Sequence, residues 1–403
     1  MWRTESPKII AVLTRMTGEI GTAEDLSQDA LLAALDQWPV SGIPDNPAAW
    51  LMSIAKRKAI DFLRRGRMAD QKHELVAHEL AAKQSAAPAY DDVIDDHVGD
   101  DLLRLIFIAC HPILPREARA ALTLRLLGGL TTDEIGRAFL TAEPTIAQRI
   151  VRAKKTIADE KLPFEVPPLA EMHERLGSVL EVVYLVFNEG YTATAGADWT
   201  RRDLCDEALR LGRLLADLMP GEAEVHGLLA LMEIQASRLG ARTDTEGTPI
   251  LLLDQDRTRW NGEMIDRGLS ALELAESLGG VSGPYQLQAA IAACHARARN
   301  ANDTDWRRIA ALYDELMSVA PSPVVELNRA VAVAMAFGPA DGLAIVDMLM
   351  SEPKLRSYHL LPSVRGDLLV KLGRMEEARA EFERAAALTR NERERALLLD
   401  RAK

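Results

Sequence analysis

Two short runs of cations stand out in a chain whose net charge is −12. Lys56, Arg57, Lys58, Arg64, Arg65 and Arg67 are opposed only by Asp61, and Arg149, Arg152, Lys154 and Lys155 have no acid among them. Cations grouped this way neutralise phosphates, and Gln or Arg side chains between them can read base edges. On a helix advancing about 100° per residue, Ile146, Ile150, Ala153 and Ile157 share one stripe while Gln148, Arg152 and Lys155 cluster opposite. One face packs and the other can enter a groove; the alternative is the solvated face of an ordinary bundle helix. In the first run Leu51, Ala55, Ala59 and Phe62 form an apolar stripe, and Trp50, Arg57, Asp61 and Arg64 form another. Trp50 either stacks on an unpaired base or is an ordinary core tryptophan. Asp61 is spaced to hold Arg57 or Arg65 rather than to touch DNA.

Other reactive residue types carry less. His73 and His78 evoke the zinc motif H-E-x-x-H, but a spacing of five turns them about 140° apart on a helix, so they cannot share a metal. No metal or other cofactor is expected. Asn188, Glu189, Tyr191, Asp254, Asp256, Arg257 and Trp260 could line a pocket, yet no nucleophile with a partner, phosphate loop or ligand spacing accompanies them. An enzyme is not expected, and these residues are read as ties between helical hairpins or as a regulatory docking surface. Cys110, Cys205 and Cys294 form no C-x-x-C pair and are read as reduced, buried small residues.

The elements that must position the basic faces are helices, because apolar residues recur at three and four residue spacing nearly throughout. The expected fold is all-α. Thr131-Thr132-Asp133-Glu134-Ile135-Gly136-Arg137-Ala138-Phe139, a three-residue turn, and Glu143-Pro144-Thr145 opening a second helix through Ile157 form a helix-turn-helix. Thr131 or Thr132 can cap the first helix, and Pro144 suits the first turn of the second. Breaks fall at 42–47, 86–101, 163–168, 240–249 and 279–284. Asp91, Asp92, Asp95, Asp96, Asp100 and Asp101 read as a solvated acidic linker. Toward the C-terminus Gly366, Leu369, Gly373, Ala378, Phe382 and Ala385 match a tetratricopeptide (TPR) helix pair. Trp306, Ile309, Tyr313, Leu316 and Pro321 match the second helix of another, and Gly338 precedes Gly373 by about one repeat. Stacked hairpins are expected from about residue 284 onward.

The bulk numbers fit this division. A length of 403 residues implies several domains, and 48% hydrophobic residues allow each a core. The acidic balance excludes a protein that coats nucleic acid indiscriminately, so any DNA contact is local. No apolar run approaches the roughly 20 residues that cross a bilayer, and residues 1–20 lack a secretory signal's layout. A cytoplasmic protein with no membrane contact is expected.

Taken in order, these motifs resemble the extracytoplasmic-function (ECF) sigma factors of bacterial RNA polymerase. Ala23-Glu24-Asp25-Leu26-Ser27-Gln28-Asp29 resembles the polymerase-binding region 2.2, which implies that Asp25, Gln28 and Asp29 face the clamp helices of the largest subunit of core RNA polymerase. Trp50-Leu51 through Arg64 resembles the region that recognises and melts the minus-ten element, implying promoter contacts by Trp50, Lys56, Arg57, Lys58, Arg64 and Arg65. Arg57 stands where many members have Asn, and Leu31 where an aromatic is common. Leu114-Pro115-Arg116-Glu117-Ala118-Arg119 and the helix-turn-helix resemble region 4, implying minus-thirty-five contacts by Thr145, Gln148, Arg149, Arg152, Lys154 and Lys155. The segments 108–112, 184–191, 254–257, 288–291 and 322–330 resemble the ECF subgroup with a C-terminal TPR-like domain. The implied layout is region 2 over 1–75, a linker over 76–100, region 4 over 101–162 and the extension over 163–403. The implied function is an alternative sigma factor whose extension regulates it through an intramolecular contact, with Asn188, Glu189, Tyr191, Asp254, Asp256 and Arg257 as its candidate surface. The alternatives are a helix-turn-helix regulator independent of polymerase, which needs no region 2.2, and a TPR adaptor, which needs no basic faces.

Overall fold

Why the chain is helical is visible at its starts and stops. Asn46 accepts a hydrogen bond from the Ala49 amide (3.1 Å) just before Pro47 opens a long helix, which satisfies an end amide where proline needs none. Thr131 and Glu134 form a reciprocal capping box: the Glu134 amide donates to Thr131 Oγ1 (3.1 Å) and the Thr131 amide to Glu134 Oε2 (2.8 Å). In a computed structural model that describes residues 2–77, 98–139, 141–192, 195–196, 200–245, 247–279 and 282–403, the fold is all-α. Along 66–77 and 137–138 the description is of the helical backbone only. His78 and Asp91–Asp96 lie outside the described residues, as does the His73 side chain.

The chain divides into two compact units, residues 1–182 and 183–403. The first begins with α1 (Trp2–Thr17), α2 (Ile20–Ser41) and α3 (Pro47–Ala77), which pack on one another. Ile9, Val12 and Leu13 of α1 and Leu51, Ala55 and Ala59 of α3 supply buried core positions at helical spacing. Phe62, expected to extend that stripe, is 42% exposed. Next come α4 (Val98–Ala109), α5 (Arg116–Leu126), α6 (Thr132–Ala138) and α7 (Glu143–Asp159). Asp101, read as part of a solvated linker, is instead wholly buried. Arg15 Nε of α1 and Arg104 Nη1 of α4 each donate to it at 2.8 Å, so two guanidinium groups offset the desolvation of its carboxylate. The unit also runs past residue 162. In α8 (Leu169–Tyr191), Arg175 donates to the Phe107 carbonyl (3.1 Å), while Ser178 donates to the Cys110 carbonyl (2.5 Å) and accepts from Arg119. These bonds satisfy carbonyls at the end of α4, which its own helix leaves open.

The second unit continues with α9 (Arg202–Leu218) and α10 (Ala223–Ala236), an irregular segment over 237–261, and α11 (Gly262–Ser277). Then follow α12 (Pro284–Arg297), α13 (Trp306–Val319), α14 (Pro323–Phe337), α15 (Pro339–Leu349), α16 (Leu360–Lys371), α17 (Met375–Leu388) and α18 (Glu392–Arg401). From α12 onward each helix packs on the next, as in a TPR-like stack of hairpins. The α16–α17 pair holds the expected repeat positions: Leu369, Ala378, Phe382 and Ala385 are buried, and Gly373 turns the chain at φ 75°. A Cβ at Gly366 would meet the Phe382 ring at 2.8–3.0 Å, so alanine there would force the ring off its packing at a cost of about 1–3 kcal/mol. Two-residue strands, Ala195–Gly196 and Arg390–Asn391, pair in parallel and tie the start of this unit to its end.

Candidate nucleic-acid interface

The helix-turn-helix is built around one tight turn. The Thr141 amide donates to the Gly136 carbonyl at 2.8 Å, and a Cβ on Gly136 would lie 2.7 Å from the Thr141 carbonyl oxygen. Only glycine lets the second helix approach this closely. Thr132 then donates to Glu143 Oε1 (2.9 Å), tying α6 to the first turn of α7. With that angle set, Ile146, Ile150, Ala153 and Ile157 are buried, as their spacing requires. Thr145, Gln148, Arg152 and Lys155 are exposed together on the opposite face, and Arg149 is half-buried at its edge.

Lys154 is not part of that face. Its ammonium and the Arg125 guanidinium (Nε, 2.5 Å) both donate to the carboxylate of Glu24, on α2, which is only 6% exposed. The reason is angular: Lys154 sits about 180° from Thr145 on a helix of 3.6 residues per turn, beside the buried stripe. Burial pushes the Glu24 carboxyl up, but Lys154 and Arg125 together outweigh it and hold its pKa below the usual value.

On α3 the basic face is solvent-facing as expected. Arg57, Arg64 and Arg65 are exposed, and Lys56 and Lys58 are half-buried. Lys58 approaches Asp29 of α2 at 3.7 Å. Arg65 is steadied from residue 61, but by the backbone carbonyl of Asp61 (3.3 Å). Trp50 is half-buried and meets Trp38 of α2, ring centroids 5.4 Å apart and tilted by 59°. The two readings of Trp50 are therefore compatible: one face packs while part of the ring remains open to solvent.

The α2 surface shows more than its motif did. Asp25, Gln28 and Asp29 are exposed on one side, and Leu32 and Leu35 continue that stripe while 57% and 62% exposed. The three- and four-residue spacing from Asp25 onward contained this signal, but a sequence does not say which side of a mixed helix is covered.

In the second unit the polar cluster is taken up by structure. Glu189 is buried and paired with Arg201, and Arg242 lies 3.6 Å from the Tyr191 ring centroid. Arg257 donates to the His295 (2.5 Å) and Ala298 (2.7 Å) carbonyls at the end of α12 and to Thr304 (3.2 Å). Asp256 accepts from the Thr258 hydroxyl (2.7 Å) and from the Thr258 amide (2.9 Å), and these bonds, the hydroxyl's first, hold its pKa below the usual range. Asn188 and Asp254 are exposed. Arg238 lies 5.7 Å from both the Tyr191 and the Trp260 ring centroids, and Arg257 lies 4.9 Å from that of Trp260, so Tyr191 and Arg257 share one cluster of cations and aromatic rings. Burial lifts the Cys110 thiol to about 11 and the Cys205 thiol to about 12, far from a nucleophile's range. Among the described residues, no group of His, Cys, Asp or Glu could hold a metal, and no helix is long and apolar enough to cross a membrane.

A three-helix module with a basic helix, followed by a helix-turn-helix, has the layout of a DNA-binding protein. Known families agree: residues 1–68 match sigma-70 region 2 and residues 104–157 match sigma-70 region 4. Residues 175–276 match DUF6596, a family of unknown function. The chain is 30% identical over 144 residues to the ECF RNA polymerase sigma factor SigL of Mycobacterium tuberculosis, covering 36% of this chain and 76% of that protein. It is 43% identical over 393 residues to the protein R00370 of Rhizobium meliloti, covering 97% of this chain and 92% of that one. The crystal structure of yeast Tom70 aligns with 97% of this chain and 80% of that chain at 12% identity and a TM-score of 0.31, too distant to bear on the fold. The chain belongs to the ECF RNA polymerase sigma factors, with a helical C-terminal extension. It is an alternative sigma factor that initiates transcription, and its family works with core RNA polymerase on promoter DNA without catalytic chemistry of its own.

Proposed function

We propose that the α2 stripe of Asp25, Gln28 and Asp29, joined by Leu32 and Leu35, docks on the clamp helices of the largest polymerase subunit. The observation that carries this is the exposure of two leucines in line with two carboxylates, which suits a partner with basic and apolar side chains. The α3 face of Trp50, Lys56, Arg57, Lys58, Arg64 and Arg65 then serves the minus-ten element. Thr145, Gln148, Arg149, Arg152 and Lys155 serve the minus-thirty-five element, with bases read by Gln and Arg and phosphates held by the remaining cations. Lys154 joins them only when released from Glu24.

The extension, 183–403, has the role of regulating this module in cis, in the sense of a required positive element. Covalent tethering makes a weak contact effective, since a short linker gives an effective concentration on the order of millimolar. Concave hairpin stacks are suited to holding a helix or peptide. The test is promoter-specific transcription reconstituted with core polymerase, comparing the full chain with one ended after Val182, which retains the α8 residues that bond to α4 and α5. Loss of transcription with core binding intact supports the positive role. Equal activity of both chains refutes regulation in cis, and no activity from the full chain on any mapped promoter refutes the assignment of the basic faces.

A further inference from the structure

Three buried carboxylates of 183–403 each have an arginine partner: Glu189 has Arg201, Glu233 has Arg213 and Arg267, and Glu381 has Arg365. The cluster around Trp260 reverses this balance. Arg238 and Arg257 lie 5.7 and 4.9 Å from its ring centroid, and among the described residues no carboxylate forms an ion pair with either. Arg238 Nε, Arg257 Nε, Trp260 Nε1 and His295 Nδ1 are all buried without a hydrogen-bond partner. Burial, and then the charges of Arg238 and Arg257, hold His295 at about 4, so its ring is neutral and the positive charge around it stays uncompensated. Beside this cluster lies an open cavity of about 380 Å³ between the end of α12 and the start of α13. Cluster and cavity are contiguous, since Ala298, whose carbonyl accepts from Arg257, also lines the cavity.

We propose that this cavity binds a phosphate, free or as the ester of a small molecule, through Arg297, Arg299 and Arg308. All three guanidinium groups line it. Arg297 and Arg299 have no ion pair among the described residues, and Arg308 reaches the exposed Glu315 at 3.6 Å. The two acids of the wall are engaged elsewhere. Asp303 accepts from the Asn300 amide group (3.0 Å) and faces the charge of Arg257, while Asp305 caps α13 through the Arg308 amide (2.9 Å). The positive end of α13 offsets the Asp305 charge, so three guanidiniums and the cluster behind them leave more than one positive charge to be met. A dianion meets that balance better than a single carboxylate does. The planar fork of each guanidinium matches a pair of phosphate oxygens, and the volume falls within the range of small-ligand sites. Bound there, a phosphate joins the end of α12 to the first turn of α13 and gives the extension a small-molecule input.

The experiment uses the full-length chain and its own thiol as reporter. Cys110 and Cys205 are buried, whereas Cys294 is half-buried and lines the cavity, so its alkylation reports whether the cavity is filled. Burial and then Asp305 push that thiol up, so iodoacetamide is reacted at about pH 9, where enough thiolate forms, and the modified residue is located by mass spectrometry. Inorganic phosphate, against chloride at equal ionic strength, should slow the reaction of Cys294 about fivefold or more, with half-protection at about 1 mM, an affinity that two or three charge-assisted hydrogen bonds sustain. Arg297→Gln combined with Arg299→Gln should abolish the protection. Both side chains are exposed, so helical circular dichroism should stay unchanged, and Arg379→Gln, exposed on α17, should keep full protection. Ribose 5-phosphate acting at lower concentration than inorganic phosphate assigns the site to a phosphate ester, and the reverse order assigns it to free phosphate. No protection by either overturns the proposal, as does equal protection by acetate or protection that survives in the double variant. Should the double variant lose its helical circular dichroism, the wild-type comparison of phosphate with chloride and acetate decides alone. These readouts need neither polymerase nor promoter, so their failure is separable from failure of the proposed function.

Discussion

Leu32→Ala and Leu35→Ala give the most direct measure of the polymerase-facing stripe. Each change removes three carbons, worth about 0.8 kcal/mol apiece when fully buried. Because the side chains are 57% and 62% exposed in the free chain, roughly six-tenths of that value is available on docking. The expected loss is about 1.4 kcal/mol for each, close to tenfold in Kd for core polymerase. The remaining four-tenths is already buried in the free chain, so its stability should fall by no more than about 1 kcal/mol. Competition for core polymerase, followed by fluorescence anisotropy, measures the first quantity and denaturant unfolding the second. The leucine effect should be nearly independent of salt, whereas reversing Asp25 and Asp29 to lysine should weaken binding most at low ionic strength. Glu117→Lys, exposed on α5, is the charge-matched control. A Kd within twofold of wild type for both leucine variants would refute the docking face. A large drop in stability would show that the leucines pack inside the protein instead.

Arg152→Ala should either cost about 1–3 kcal/mol at one base position, if Arg152 reads a base, or flatten the salt dependence of binding by about 0.9 if it holds a phosphate. Normal initiation from a mapped promoter by the Arg149, Arg152 and Lys155 alanine variants would remove α7 from the interface. Trp50→Ala should lower permanganate reactivity in the minus-ten bubble, because base stacking is worth roughly 1–3 kcal/mol; unchanged reactivity would leave Trp50 as the packing partner of Trp38 alone. In the extension, burial and then the Arg238 and Arg257 charges push His295 down to about 4 from 6.5. The unfolded chain therefore takes up the proton first as pH falls, so stability is level above about 6.5, declines by about 3 kcal/mol down to about 4, and levels again. Unfolding followed through Trp306, whose ring is 5.1 Å from that of His295, should show this slope. An equal slope in His295→Leu would place the titration elsewhere.

The amino-acid sequence by itself determined everything set by local period and by residue type. The α7 stripe, the Thr131 cap and the α16–α17 hairpin are all written in spacings of three and four, because a helix converts spacing into facing. Lys154, read from the sequence as a promoter contact, turns inward beside Ile150 and Ile157 and meets Glu24 instead. What the sequence could not give is which charges meet across distant segments. Asp101 reads as one more acid of a linker until Arg15 and Arg104 close on it, and Glu24 reads as part of a polymerase-binding run until Arg125 and Lys154 arrive from more than a hundred residues away. Leu32 and Leu35 are ordinary helix leucines in the sequence, and only the packing of α1 and α3 on the other side of α2 leaves them in water. A buried charge must find its partner wherever the chain brings one, and that choice belongs to tertiary structure.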